Sequence, residues 1–252
     1  GWLTLGPRVG EFEAAIAAHT GSAHAVATSS CTTALFLALR GFGVGPGDEV
    51  IVPSLTFAAT INTVLHCGAE PVLCDIETDS FGLDPEAVAA LVTPRTRGIV
   101  TVDYAGHPSR VDDLAALARS RGLFLLEDAA HAFGAALGGR PVGSLADATA
   151  FSFYATKCIT TGEGGMLTCA DAELEHRVRL LGYHGMARDA WRRYSERGSW
   201  YYEVELPGYK CNMTDMQAAL GLSQLQREPE LRASRRAAAA FYAAALAGLP
   251  AL

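Results

Sequence analysis

The chain has 252 residues, 50% hydrophobic and 19% charged, with 27 acidic against 20 basic side chains and a net charge of −7. Such a length buries a large core as one domain, or one domain with an appendage, and the acidic balance gives nucleic-acid binding no support. No apolar run reaches the roughly 18 residues that a bilayer span needs, so neither nucleic acid nor membrane is an expected partner. The six cysteines form no CxxC pair and share no metal-ligand spacing with the seven histidines. They read as small apolar residues, no metal site is expected, and a reducing cytoplasm is the expected location.

Residues 8–19 place Val9, Phe12, Ile16 and His19 at helical spacing, Gly21 stops them, and His24–Thr28 reads as a strand. Ser29-Ser30-Cys31-Thr32-Thr33-Ala34 then opens the periodic segment Leu35, Leu39, Phe42. A hydroxyl-rich turn at a helix start is either a simple N-cap or a phosphate seat, since free backbone N–H groups and the helix dipole favour an anion there. Gly41–Gly47 resembles a dinucleotide fingerprint only superficially: it follows a helix, and Pro46 stands where the third glycine belongs. It is a turn.

Beyond it, strands at Val50–Val52, Pro71–Cys74 and Gly98–Val102 alternate with helices at Phe57–His66, Asp84–Val92 and Val111–Arg121. This alternation predicts an α/β fold with a mostly parallel central sheet flanked by helices, whose ligands bind at the strands' carboxyl ends. The strand Leu123–Leu126 runs into Glu127-Asp128-Ala129-Ala130-His131, which puts an acid pair and a histidine at that edge. Leu137–Gly143 reads as a hairpin turn, Gly164–Thr168 as a strand, and Leu174–Leu181 as a helix. Residues 182–207 lose periodicity but carry Tyr183, His184, Trp191, Tyr194, Trp200, Tyr201 and Tyr202, which predicts an ordered loop packed on a neighbour or ligand. Helices resume at Thr214–Leu225 and from about Glu230.

Among the twenty basic residues only Lys157 and Lys210 are lysine. Lys157 follows the strand-like run Ala150–Phe153 and precedes Gly162-Glu163-Gly164-Gly165, with Ala155 and Ile159 as apolar neighbours. A lysine that forms a Schiff base must be neutral at moderate pH, which an apolar pocket favours. A pyridoxal phosphate cofactor also needs a carboxylate for its ring nitrogen, a phosphate seat, a stacking side chain and a partner for its ring hydroxyl. Asp128, Thr32 with Thr33, Phe57 and His131 can supply these in turn, and Ser152 adds a further phosphate hydroxyl. On the residues alone, a phosphate-binding protein of another type and a salt-bridged core lysine remain open.

The segments Glu127–His131, Phe151–Lys157 and Gly162–Gly165, with Gly45–Val50, Pro53–Phe57, Tyr104–Gly106 and Pro207–Asp215 in matching order, resemble the DegT-DnrJ-StrS family of pyridoxal-phosphate-dependent nucleotide-sugar aminotransferases. The resemblance covers essentially the whole chain. It implies a fold type I large domain with Lys157 as the Schiff-base lysine and proton carrier, Asp128 on the pyridine nitrogen and His131 near the ring hydroxyl. It further implies Phe57 stacked on the ring, and Thr32, Thr33 and Ser152 on the phosphate. Asn212 would join them from the other subunit of a homodimer with shared active sites.

The family's dehydratases carry histidine in place of the lysine, so Lys157 favours amino transfer from glutamate, which yields 2-oxoglutarate, to a nucleotide-linked keto sugar. The Gly208–Asp215 motif is most like members acting on UDP-linked 4-keto sugars, and a dTDP-linked sugar is the other expectation. The resemblance also implies residues 1–225 as the cofactor-binding large domain and 226–252 as a helix leading toward a small C-terminal domain, which this sequence stops short of. The alternative expectation is a cofactor-binding but inactive chain that partners a longer homologue.

Overall fold

The computed structural model describes residues 2–186 and 203–249. Its strands are β1 (His24–Thr28), β2 (Glu49–Pro53), β3 (Glu70–Cys74), β4 (Thr96–Val102), β5 (Phe124–Asp128), the hairpin β6 (Ala136–Leu137) and β7 (Arg140–Pro141), β8 (Ala148–Ser152) and β9 (Gly165–Cys169). Seven of them form one sheet in the order β1-β9-β8-β5-β4-β2-β3. The sheet is parallel except for β9, which runs antiparallel to both β8 and β1. The expected mostly parallel α/β sheet is therefore present, and the carboxyl ends of β1, β5 and β8 share one edge.

The helices are α1 (Pro7–Thr20), α2 (Cys31–Gly41), α3 (Ala58–His66), α4 (Pro85–Leu91), α5 (Val111–Arg121), α6 (Ala172–Gly182), α7 (Asp215–Gln226) and α8 (Glu228–Leu246). Their ends follow local chemistry. Pro7 presets the first turn of α1 and left-handed Gly21 ends it, while reciprocal side-chain caps start α2 at Ser30 with Thr33 and α7 at Thr214 with Gln217. Phe57, expected inside a helix, instead precedes α3 with extended backbone.

Successive strand residues face opposite sides of the sheet. Val26, Val52, Leu126 and Leu167 pack with residues of α2, α3 and α6 on one face. The other face carries two clusters, one joining Phe12 and Ile16 of α1 to Phe151 and Met166, the other joining Val88 and Leu114 to Ile99 and Leu125. Each such side chain contributes about 1.5–3 kcal/mol by leaving water.

The outer edge of β1 is closed by side chains. The Ala27 N–H donates to Glu13 Oε1 at 2.8 Å, and Arg179 donates both to the Ala25 carbonyl at 2.9 Å and to the two Glu13 oxygens at 2.9 and 3.0 Å. Backbone groups that a further strand would pair are thus satisfied by an ion pair. The expected aromatic loop falls largely at residues 187–202, including Trp191, Tyr194, Trp200, Tyr201 and Tyr202, which lie outside the described residues. Its described flanks are tied together by bridges pairing Tyr183 with Lys210 and Met186 with Val204.

Candidate functional site

Asp128 ends β5 and is 5% exposed. Its Oδ2 accepts a 2.7 Å hydrogen bond from Thr60 Oγ1, and its Oδ1 accepts from the Ala130 N–H at 3.2 Å and from Cys31 Sγ at 3.8 Å. Burial raises its pKa above the usual carboxylate value, while the hydrogen bonds and then the charges of His131 and Lys157 pull it back. The carboxyl is held rigidly and is poorly paid in charge, a state suited to receiving a cation from a ligand.

Lys157 lies close enough for its charge to act on Asp128, His131 and Cys31. Its setting differs from the expected apolar pocket: Lys157 is half-buried, Ile159 is buried, but Tyr154, Ala155 and Thr156 are exposed. The reason is that the chain leaves the sheet at Phe153, and the Lys157 N–H donates to the Tyr154 carbonyl in a turn at the open edge. His131 is exposed, with its pKa held below the usual imidazole value by partial desolvation and then by Lys157, against the pull of Asp128.

A second group forms around Gly165. In register, Thr28 of β1, Gly165 of β9 and Ser152 of β8 make one row at the sheet edge. The turn into α2 crosses directly over it: a Cβ on Gly165 would sit 2.3 Å from the Ser30 carbonyl carbon and 2.5 Å from the Cys31 nitrogen. The absent side chain lets the N-terminus of α2 settle beside Ser152. Thr32 is exposed in the first turn of α2, whereas the Thr33 hydroxyl is committed to the cap, meeting the Ser30 N–H at 3.0 Å. The N-cap reading thus holds for Thr33, while Thr32 stays exposed beside the helix terminus.

Phe57 is 76% exposed at the N-cap of α3, three residues before Thr60, which holds the Asp128 carboxyl. Asn212 stands apart from these residues. It bridges Thr28 on the outer side of the row, about 14 Å from Ser152 at three strand spacings. Its amide donates to Thr4 Oγ1 at 3.2 Å and its oxygen accepts from Lys210. A cavity of about 260 Å³ lined by Glu13, Val26, Arg179 and Asn212 also lies on this outer side, away from Asp128 and Lys157.

Thr60 and Cys31, the direct neighbours of Asp128, carry little signal in sequence. The available one was the spacing of Thr56 and Thr60, whose hydroxyls meet at 2.7 Å across one helical turn.

A lysine, a buried strand-end carboxylate and a helix N-terminus thus gather at the carboxyl edge of a mostly parallel sheet in an α/β chain. The match to the model of the DegT/DnrJ/EryC1/StrS aminotransferase family spans residues 1–252, and the chain belongs to that family. It is 53% identical over 252 residues to the spore coat polysaccharide biosynthesis protein SpsC of Bacillus subtilis (strain 168), covering 100% of this chain and 65% of SpsC.

Among solved structures, Spr1654 of Streptococcus pneumoniae in its PLP form aligns with a TM-score of 0.91 and 37% identity, over 98% of this chain and 66% of that one. DesI, solved with its TDP-sugar product, aligns with a TM-score of 0.87 and 42% identity, over 99% of this chain and 60% of that one. The chain therefore spans just under two thirds of the length of the relatives it matches. Among the described residues no helix is long and apolar enough to cross a membrane, and no cluster of candidate metal ligands occurs.

Proposed function

We propose that this chain binds pyridoxal 5′-phosphate at the Asp128–Lys157 edge and transfers an amino group from glutamate to a nucleotide-linked keto sugar. The observation that carries the reading is that Lys157, Asp128 and the N-terminus of α2 converge there, with Asp128 buried and its pKa raised. When bound, the cofactor supplies an aldehyde carbon for the amino group and a ring that accepts electrons from the reacting carbon. The residues present fit it: Gly165 leaves room for the α2 terminus over the sheet, and among the described residues the cationic groups acting on the buried Asp128 carboxyl are His131 and Lys157.

In this reading Asp128 keeps a proton on the ring nitrogen, Thr60 fixes the carboxylate, and Phe57 covers one ring face. Thr32 and Ser152 donate to the phosphate while Thr33 holds the turn that presents it. His131 approaches the ring hydroxyl. Lys157 Nζ holds the cofactor between turnovers and carries the proton that moves during amino transfer.

A nucleotide sugar as acceptor is supported by the TDP-sugar product of DesI, and a role in surface polysaccharide synthesis by the name of SpsC. Asn212, removed from Ser152 in its own chain, fits a contribution to the phosphate of a second copy in a homodimer. Residues 1–225 would be the cofactor domain and the exposed remainder of α8 the path toward further sequence.

The test is absorbance and intact mass after adding pyridoxal phosphate and then borohydride, in wild type and Lys157→Ala. The expected result is one covalently reduced cofactor per wild-type chain and none on the variant. A wild type that takes up no reducible cofactor overturns the proposal. A loaded chain that never releases 2-oxoglutarate from glutamate supports the partner-subunit alternative instead.

A further inference from the structure

Beneath the sheet edge, on the face opposite the Asp128 side chain, two carboxyls meet that the proposed chemistry does not use. Asp103, directly after β4, is 1% exposed, and Glu127 of β5 is 0% exposed. Each has one oxygen accounted for: Asp103 Oδ1 accepts from the Ser109 N–H at 3.0 Å, and Glu127 Oε2 accepts from Thr149 Oγ1 at 2.8 Å. Among the described residues the other two, Asp103 Oδ2 and Glu127 Oε1, are buried and find no hydrogen-bond donor of normal geometry.

The two side chains are within hydrogen-bonding reach of each other. Two ionised carboxylates cannot make that bond; a carboxylic acid and a carboxylate can.

We propose that Asp103 and Glu127 share one proton at neutral pH, and that this pair is a positioning device that fixes the Tyr104–Gly106 turn against His131. Asp103 is stitched to the site three ways. Its N–H donates to the Asp128 carbonyl at 3.1 Å, its carbonyl accepts from the Gly106 N–H at 3.1 Å, and its side chain holds Ser109 at the far end of the loop.

The turn needs such an anchor, because Ala105 has φ +53° and Gly106 +85°. For alanine the left-handed region is costly and persists only when the surroundings impose it. Gly106 lies so near His131 that a Cβ would come 2.8 Å from the His131 carbonyl oxygen. A shift of Asp103 therefore reaches His131 through the backbone.

The charges bearing on the pair are carboxylates, namely each other and Asp128, while the Ser109 and Gly143 N–H groups and the Thr149 hydroxyl oppose them. Burial is the largest influence on both groups. It raises Asp103 well above the carboxylate range and pushes Glu127 up to about 7. A folded state that holds its proton more tightly than the unfolded chain is most stable below the unfolded value, and loses that advantage as pH rises through the folded value.

The positioning role concerns the site under the proposed function, but its test does not depend on the cofactor. Melting of this chain is followed from about pH 5 to about pH 8 in wild type, Asp103→Asn, Glu127→Gln and Asp103→Ala. The amide of Asp103→Asn can donate to Glu127 and still accept from Ser109, so this variant is expected to fold and to lose at least half of the wild-type fall in melting temperature. Its infrared spectrum should lack a carboxylic-acid C=O absorption that wild type shows at neutral pH.

The His131 imidazole resonance should stay in place in Asp103→Asn and move in Asp103→Ala. Glu127→Gln provides the same comparison should Asp103→Asn fail to fold. Unchanged pH dependence in a folded amide variant, with the acid absorption retained, overturns the shared proton. An unmoved His131 in Asp103→Ala overturns the positioning role.

Discussion

Thr60 Oγ1 donates to Asp128 Oδ2 at 2.7 Å, both groups being buried, and this bond reaches from the first turn of α3 to the end of β5. We predict that Thr60→Val destabilises the protein by roughly 1–3 kcal/mol, because a buried carboxyl oxygen loses its donor. Thr60→Ser should recover most of that loss. The urea midpoint checks the stability, and pyridoxal phosphate titration should show weaker binding in Thr60→Val. Equal midpoints for Val and wild type would mean the bond contributes nothing.

Asp128 itself is predicted to oppose folding at neutral pH in the ligand-free chain. Its folded pKa is raised, so the folded state binds the proton more tightly than the unfolded chain does. The group's contribution is fully present below the unfolded value of about 4 and declines as pH rises through the raised folded value. Asp128→Asn should therefore flatten the loss of stability with rising pH and match or exceed wild-type melting at pH 7, while cofactor binding falls. A variant that melts far lower at pH 7 would show the carboxylate to be structural.

Much of this arrangement is legible in the sequence, for reasons specific to each part. The alternating elements announce themselves because each buries a periodic face, and Asp128 and Lys157 stand out as charged residues beside apolar runs. The antiparallel β9 does not, since Gly165–Cys169 is buried throughout and its direction is set by pairing with β1 and β8. Thr60 and Asp103 were missed because a buried hydroxyl or acid acquires meaning only from a partner elsewhere in the chain, 68 residues away for Thr60 and Asp128. Thr33 and Thr32 are adjacent and alike in sequence, and only the cap geometry separates their roles.

The same distance hides the closure of the sheet edge. Arg179 and Glu13 are 166 residues apart, yet together they satisfy both Ala25 and Ala27 of β1. Arg179→Leu is predicted to cost about 3 kcal/mol, because it leaves the largely buried Glu13 carboxylate without its cation and uncovers the strand. Chemical denaturation should report the loss, and light scattering should show increased self-association. A monodisperse variant of wild-type stability would show that the edge needs no such guard.

Gly165→Ala tests the junction between scaffold and proposed phosphate seat. The new methyl would lie 2.3 Å from the Ser30 carbonyl carbon and 2.4 Å from its oxygen, both backbone atoms that cannot turn aside like a side chain. Either β9 slips at its first residue or the N-terminus of α2 lifts from the sheet, and overpacking of this kind costs about 1–3 kcal/mol. Thr28, Gly165 and Ser152 share one register row, so lifting α2 separates Thr32 from Ser152 while leaving Asp128 and Lys157 in place. The expected outcome is a folded protein whose pyridoxal phosphate affinity drops at least about tenfold, about 1.4 kcal/mol, with a smaller loss for pyridoxal lacking the phosphate. Equal losses for both ligands would place the damage at the ring and remove the α2 terminus from the phosphate seat.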